Sequence, residues 1–267
     1  MVALFWATFF SVIFFLGMVI FRKRWNEMKN LQVWKYAFGI AIFNGVIYYG
    51  LYFYALTKTL PANASIVALF EVVTSYVFFQ IIHKEYISKK HVWGIVLATF
   101  GAVLIFLPKI GHFYIGDLFI LVATFLTPLG NGYAQKARKL VSSETIMLAR
   151  NIIAVPLLFI LALVLGASPL THPLGNSFWW LLLNGMIILG LSKIFWTEGI
   201  HRISVTKALA LGTLCPFLTI IFTWIIIGQA PTLAQLLSLP FLIFGILLLT
   251  DVKINFLSSK TEKAFIK

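Results

Sequence analysis

Nine stretches of this chain are long and apolar enough to cross a bilayer, near 2–21, 36–57, 61–82, 91–108, 113–135, 144–166, 178–200, 204–227 and 231–250. A spanning helix needs about 20 mostly apolar residues, because it rises about 1.5 Å per residue through a hydrocarbon core roughly 30 Å thick. Inside lipid each backbone N–H and C=O must be satisfied by the protein itself, which favours helices for runs of this length. The linkers are short, and the hydrophobic fraction of 61% exceeds the roughly 45–50% of soluble domains. The expected fold is an all-α integral membrane protein of nine transmembrane helices. Function is then expected among the packed helices or in a pore they enclose.

The formal net charge is +13, and its placement decides how it is read. Arg22, Lys23, Arg24, Lys29 and Lys35 follow the first span, and Lys84, Lys89 and Lys90 follow the third. Lys136, Arg138, Lys139 and Arg150 lie around the turn after the fifth, and Arg202 and Lys207 follow the seventh. Lys253, Lys260, Lys263 and Lys267 are in the tail, whereas the alternate loops hold only Lys58 and Lys109. Short loops rich in Lys and Arg stay cytoplasmic, so the C-terminus is expected inside and Met1 outside. Anionic lipid headgroups are the natural partners of such loops. Nucleic acid is not expected, since no basic helix stands clear of the membrane.

The single cysteine, Cys215, falls inside a span, which excludes an intrachain disulfide and a Cys-rich metal site. His83, His91 and His201 are scattered through basic loops and do not form a metal cluster. No metalloprotease, P-loop or nucleophile-elbow pattern occurs. Neither catalytic residues nor a cofactor is expected, and the chain does not read as an enzyme.

Internal repetition adds more than any single motif. Asn44-Gly45-Val46-Ile47-Tyr48-Tyr49-Gly50-Leu51 reads like Asn184-Gly185-Met186-Ile187-Ile188-Leu189-Gly190-Leu191, at an offset of 140. Further on the offset becomes 144, pairing Lys58 with Arg202, Ala64 with Ala208, Phe78 with Phe222 and Gly101 with Gly245. The second copy has five spans and the first has four. An odd-numbered unit enters the membrane in opposite orientations, which is the inverted-topology arrangement of many carriers. The expected division is residues 1–110 as a four-helix first repeat, 111–252 as a five-helix second repeat, and 253–267 as a basic cytoplasmic tail. A first helix equivalent to 113–135 is then missing, as a misplaced start or a fragment would explain.

Several of these segments carry a family resemblance. Ala55-Leu56, Ala62-Asn63-Ala64, Leu69-Phe70-Glu71, Lys84-Glu85-Tyr86-Ile87-Ser88 and Gly101-Ala102-Val103-Leu104 resemble the first repeat of the EamA family of the drug/metabolite transporter superfamily. The run from Glu198 to Leu249, with Pro216, resembles the second, and Gly116-Asp117 resembles the pair that opens the sixth helix. Two positions depart from the pattern, with Val72 in place of a proline and Lys84 in place of a glycine. The resemblance implies a carrier of small metabolites in a bacterial inner membrane, with a cavity between two halves that rock in alternation. A homodimer is compatible with this reading. The alternative is a truncated or degenerate membrane subunit without transport activity.

Candidate cavity residues follow from depth and face. Glu71 lies near the midplane of its span, where a charged acid costs roughly 2.5–3.5 kcal/mol. It reads as a proton-coupling or substrate-ammonium group, with a helix-fastening role as the plain alternative. Its repeat counterpart is Cys215, so the acid has no symmetric partner. Lys193 reads as a snorkelling side chain, as a counter-ion to Glu71, or as a site for an anionic substrate group. Asn44 and Asn184 are expected to face each other across the twofold axis, with Gly45 and Gly185 allowing close approach. Tyr48 and Tyr52 share a helix face with Asn44. Asn131 and Thr213 complete the candidate lining. Gly130 and Gly132, after Thr127-Pro128, read as a hinge, as does Pro216. Glu198 and Arg202 are spaced as a helical ion pair.

Overall fold

The apolar runs fold as helices, whose packing is seen in a computed structural model that describes residues 1–83, 88–105, 114–171, 175–203, 205, 208, 212 and 214–250. Among these residues all regular structure is helical. The principal helices are α1 (Val2–Phe21), α2 (Leu31–Ala55), α3 (Pro61–Ala68), α4 (Phe70–His83) and α5 (Lys89–Ile105). They continue with α6 (Ile115–Thr124), α7 (Thr127–Arg138), α8 (Ser143–Val164), α9 (Phe178–Arg202), α10 (Leu214–Phe222) and α11 (Leu233–Thr250).

Six of the nine expected spans appear among the described residues as helices long and apolar enough to cross a membrane: α1, α2, α3 with α4, α6 with α7, α8 and α9. The other three expected segments contain shorter helices, α5, α10 and α11, and parts of 91–108 and 204–227 lie outside the described residues. The basic tail and Thr213 also lie outside them. The second span begins at Leu31 rather than 36 because Asn30 caps it, its side-chain oxygen accepting from the Gln32 amide at 3.0 Å. A cap of this kind satisfies a free helix N–H and extends the helix into polar sequence, which hydropathy alone does not register.

In lipid the side chains of one helix gain nothing by leaving water, so helices associate through close packing of small residues and through buried hydrogen bonds. Both occur here. Helix α5 lies against α11 along small residues: a β-carbon on Gly94 would fall 2.8 Å from the Gly245 carbonyl oxygen, and one on Gly101 would fall 2.9 Å from that of Ser238. Helix α1 lies against α8, with Leu4, Phe5, Ala7, Leu158 and Leu189 in one buried cluster. Within that interface the Asn151 amide donates to Ser11 Oγ at 2.9 Å, and Ser11 Oγ donates to the Leu189 carbonyl at 3.0 Å. Large apolar side chains such as Ile160, Trp180, Phe195 and Phe244 remain exposed, as an outer surface bathed in lipid requires.

The helix ends sort by chemistry. At one end Glu144 pairs with Arg22 at 3.2 Å and Arg24 at 3.4 Å. Glu198 pairs there with Arg138 at 2.8 Å and, more loosely, with Arg202 at 3.8 Å. The Glu198–Arg202 pair is therefore present but secondary. At the opposite end a buried polar cluster joins three elements. Thr59 Oγ1 and Asn63 Nδ2 donate to the Asp117 carboxylate, and Gln235 Nε2 donates to Asn63 Oδ1 at 2.6 Å.

Candidate functional site

Between these two ends lies a cavity of about 480 Å³ whose lining includes Asn44, Tyr48, Tyr49 and Tyr52 from α2 and Glu71 from α4. Thr127 and Asn131 from α7, Arg150 from α8, Lys193, Trp196 and Thr197 from α9, and Cys215 from α10 complete its polar wall. Its position follows from two interruptions in the helices. Leu69 separates α3 from α4 through tightened turns, with the Val72 amide bonded to the Leu69 carbonyl at 3.0 Å. Val72, unlike a proline, supplies that donor. Phe125 and Leu126 separate α6 from α7. Pro128 has no N–H for the carbonyl four residues back, and the Thr124 carbonyl instead accepts the hydroxyls of Thr74 at 2.7 Å and Thr127 at 2.9 Å. Irregular backbone at membrane depth persists where side chains satisfy the freed groups in this way.

Asn131 organises the acid side of the cavity. Its Nδ2 donates to Glu71 Oε1 at 3.5 Å, while its Oδ1 accepts from Asn44 Nδ2 at 3.1 Å and from Trp196 Nε1 at 3.4 Å. Gly130 makes this possible, because a β-carbon there would lie 2.3 Å from the Asn44 amide carbon. The tyrosine rings of Tyr48 and Tyr52 stack with centroids 5.9 Å apart.

The base side is built around Tyr49. The Arg150 guanidinium carbon stands 5.6 Å from the ring centroid and Lys193 Nζ stands 5.4 Å from it, within the reach of cation–π attraction. Arg150 is buried; its Nη1 donates to Asn151 Oδ1 at 2.8 Å and its Nη2 to the Asn44 carbonyl at 3.3 Å. Asn44 lies in a widened, π-helical stretch of α2, Ala41–Ile47, and Asn184 lies in a second, Asn184–Leu191, within α9. Widened turns of this type are frequent at functional sites.

Six of the eight candidate cavity residues thus share one space: Glu71, Asn44, Tyr48, Tyr52, Asn131 and Lys193. Asn184 is not among the lining residues, and its Oδ1 is buried without a hydrogen-bond partner. Asn184 does not pair with Asn44, which bonds Asn131 instead. The neighbouring glycines do pack closely. A β-carbon on Gly45 would lie 3.4 Å from Ala154 of α8, and one on Gly185 would lie 2.7 Å from Phe10 of α1. The backbone break in this region falls at Phe125–Leu126, ahead of Gly130 and Gly132, which sit inside the continuous helix α7. Gly132 lines a separate basic groove with Lys136, Lys139 and His201. Pro216 falls in the first turn of α10, where a proline leaves the helix ladder intact.

Sequence position groups Arg150 with the basic loop, and the structure corrects this. It lies about two turns inside α8 and lines the cavity. Its neighbour Asn151, a second polar residue ahead of an apolar run, is the one hint in the sequence, but it does not fix which way the cation turns.

Comparison with known proteins agrees with this architecture. A model described as the EamA-like transporter family matches residues 1–107 and 114–251. Over 264 residues, covering 93% of this chain and 74% of the relative, the sequence is 24% identical to "Uncharacterized transporter sll1164" of Synechocystis sp. (strain ATCC 27184 / PCC 6803 / Kazusa). A solved crystal structure superposes with a TM-score of 0.66 at 20% identity, covering 93% of this chain and 86% of the other, and establishes likeness of fold. The chain is a membrane transporter by descent and belongs to the EamA-like transporter family.

Proposed function

We propose that this protein is a secondary carrier that moves a small polar or amphipathic metabolite, in efflux or exchange, by alternating access to the central cavity. The observation that carries the reading is the composition of the cavity wall. Glu71, Asn44, Tyr48 and Tyr52 come from the first half of the chain, and Asn131, Arg150, Lys193 and Cys215 come from the second. A site shared between two halves changes its accessibility when one half rocks against the other.

An inverted repeat, with four helices in its first copy and five in its second, supports the rocking. Under the offset of 144, Gly94 corresponds to Ser238 and Gly101 to Gly245. The contact of Gly94 with Gly245 then has a mirror contact, Gly101 with Ser238. Glu71 and Cys215, also related by 144, line the same cavity. With the basic helix ends in the cytoplasm, the Asp117 cluster closes the outer side and the ion pairs of Glu144 and Glu198 tie the inner side.

Glu71 is the coupling group in this reading. Uptake into proteoliposomes of labelled amino acids, nucleobases, sugars and organic cations, with and without an imposed pH gradient, tests it. Glu71→Gln is expected to abolish the dependence on the gradient while leaving the folded protein intact. Gradient-driven uptake that is unchanged in the variant removes Glu71 from the mechanism, and absence of any protein-dependent uptake removes the carrier reading.

A further inference from the structure

The charges facing the cavity do not balance. Five carboxylates occur among the described residues: Glu27, Glu71, Asp117, Glu144 and Glu198. Glu27, Glu144 and Glu198 are held by arginines at the basic helix ends, and Asp117 is held by Thr59 and Asn63 at the other end. Among the described residues Glu71 is therefore the one acid facing two cations, Arg150 and Lys193. Among the described residues no salt bridge reaches either cation. The hydrogen-bond acceptors of Arg150 are the uncharged Asn151 amide and Asn44 carbonyl, and its buried Nε has no partner. A buried charge is ordinarily paired. Here both cations stand over one tyrosine ring, at 5.6 Å and 5.4 Å from its centroid, and the ring attracts cations without neutralising them.

We propose that Lys193 and Arg150 bind the anionic group of a small organic acid, and that this protein's substrate belongs to that class. Arg150 is buried in the wall and fixed by its partners, so it contributes charge, whereas the partly exposed Lys193 makes the direct contact. Tyr48, Tyr52, Trp196 and Met147 offer apolar faces to the rest of the molecule. A cationic or neutral substrate would leave more positive charge in the cavity than Glu71 alone can compensate. The assignment of substrate class rests on the carrier reading, but the binding site itself does not.

The full-length purified protein in detergent allows the two to be separated. Its thermal unfolding is followed with benzoate, phenyl phosphate, benzylamine and benzyl alcohol, four probes with the same ring and different charge, and with inorganic phosphate alone. Benzoate or phenyl phosphate is expected to raise the unfolding temperature while benzylamine and benzyl alcohol do not, and the stronger of the two acids identifies the oxyanion. Lys193→Gln is expected to weaken that affinity about tenfold or more, the loss of one charge-assisted contact. Arg150→Lys, which keeps the charge, is expected to keep the preference for acids. The proposal is overturned by equal or stronger binding of benzylamine, by unchanged affinity in Lys193→Gln, by inorganic phosphate reproducing the full shift, or by no shift with any probe. Acid binding without proteoliposome transport would sink the carrier reading alone, and transport of amines without acids would sink this inference alone.

Discussion

The amides of Asn44 and Asn131 meet across the cavity, Asn44 Nδ2 donating to Asn131 Oδ1 at 3.1 Å. This contact joins the widened segment of α2 to α7, and Asn131 carries it on to Glu71. The sequence marks both asparagines as candidate lining residues, but their pairing depends on the bare backbone of Gly130 beneath Asn44.

Gly130→Ala tests that dependence. The new methyl would meet the Asn44 amide at 2.3–2.6 Å, so the amide must move and the pairing with Asn131 is lost. A destabilisation of about 1–3 kcal/mol is expected, the usual range for overpacking, together with a loss of transport. Thermal unfolding and proteoliposome uptake of the same preparation check both, and a variant of unchanged stability and transport would show that the contact is dispensable.

The interface of α5 and α11 gives a second test, with a control in the same protein. Gly245→Leu would drive a side chain into the backbone of Ala98, 2.5 Å from the built β-carbon, and is expected to destabilise by at least about 1–3 kcal/mol. Gly17, about one turn before the C-terminal end of α1, has nothing within 4 Å of its built β-carbon. Gly17→Ala is expected to be neutral or to stabilise by up to about 1 kcal/mol, because alanine favours the helix. Unfolding temperatures of the two variants should move in opposite directions or, for Gly17→Ala, not at all.

Glu27 predicts a particular acid response. Burial acts to raise its carboxyl pKa, but the hydroxyl and amide of Ser142, the hydroxyl of Thr145 and the charge of Arg24 outweigh it, holding the group below the ordinary glutamate value. The Glu27 carboxylate accepts from the Ser142 amide at 2.8 Å, from Ser142 Oγ at 2.6 Å and from Thr145 Oγ1 at 2.8 Å. These contacts place an anion at the N-terminus of α8, where the helix dipole favours it. A lowered folded-state pKa contributes stability above the unfolded value and loses it as pH falls through the folded value. Glu27→Gln should therefore lower the unfolding temperature near neutral pH and flatten its decline in acid. Parallel curves for the two proteins across that window would exclude the contribution.

Sequence alone determined the class of protein, the helical segments, the basic ends and the residues that bring polar groups to membrane depth. Those properties depend on hydropathy and charge counted along the chain, so they are legible without neighbours. Glu71, Asn44, Tyr48, Tyr52 and Lys193 were readable for that reason. Arg150 was not, because a cation two turns from a helix end can snorkel outward or turn inward with the same sequence spacing. The rotation of α8 against α1 and α2, fixed by Ala154 on Gly45 and by Asn151 on Ser11, decided that it turns inward. Tertiary packing likewise decided that Asn184 stays off the cavity and that the backbone yields at Leu69 and Phe125–Leu126. Each of these outcomes depends on which atoms of another helix satisfy a freed carbonyl or fill a gap, information that no single segment contains.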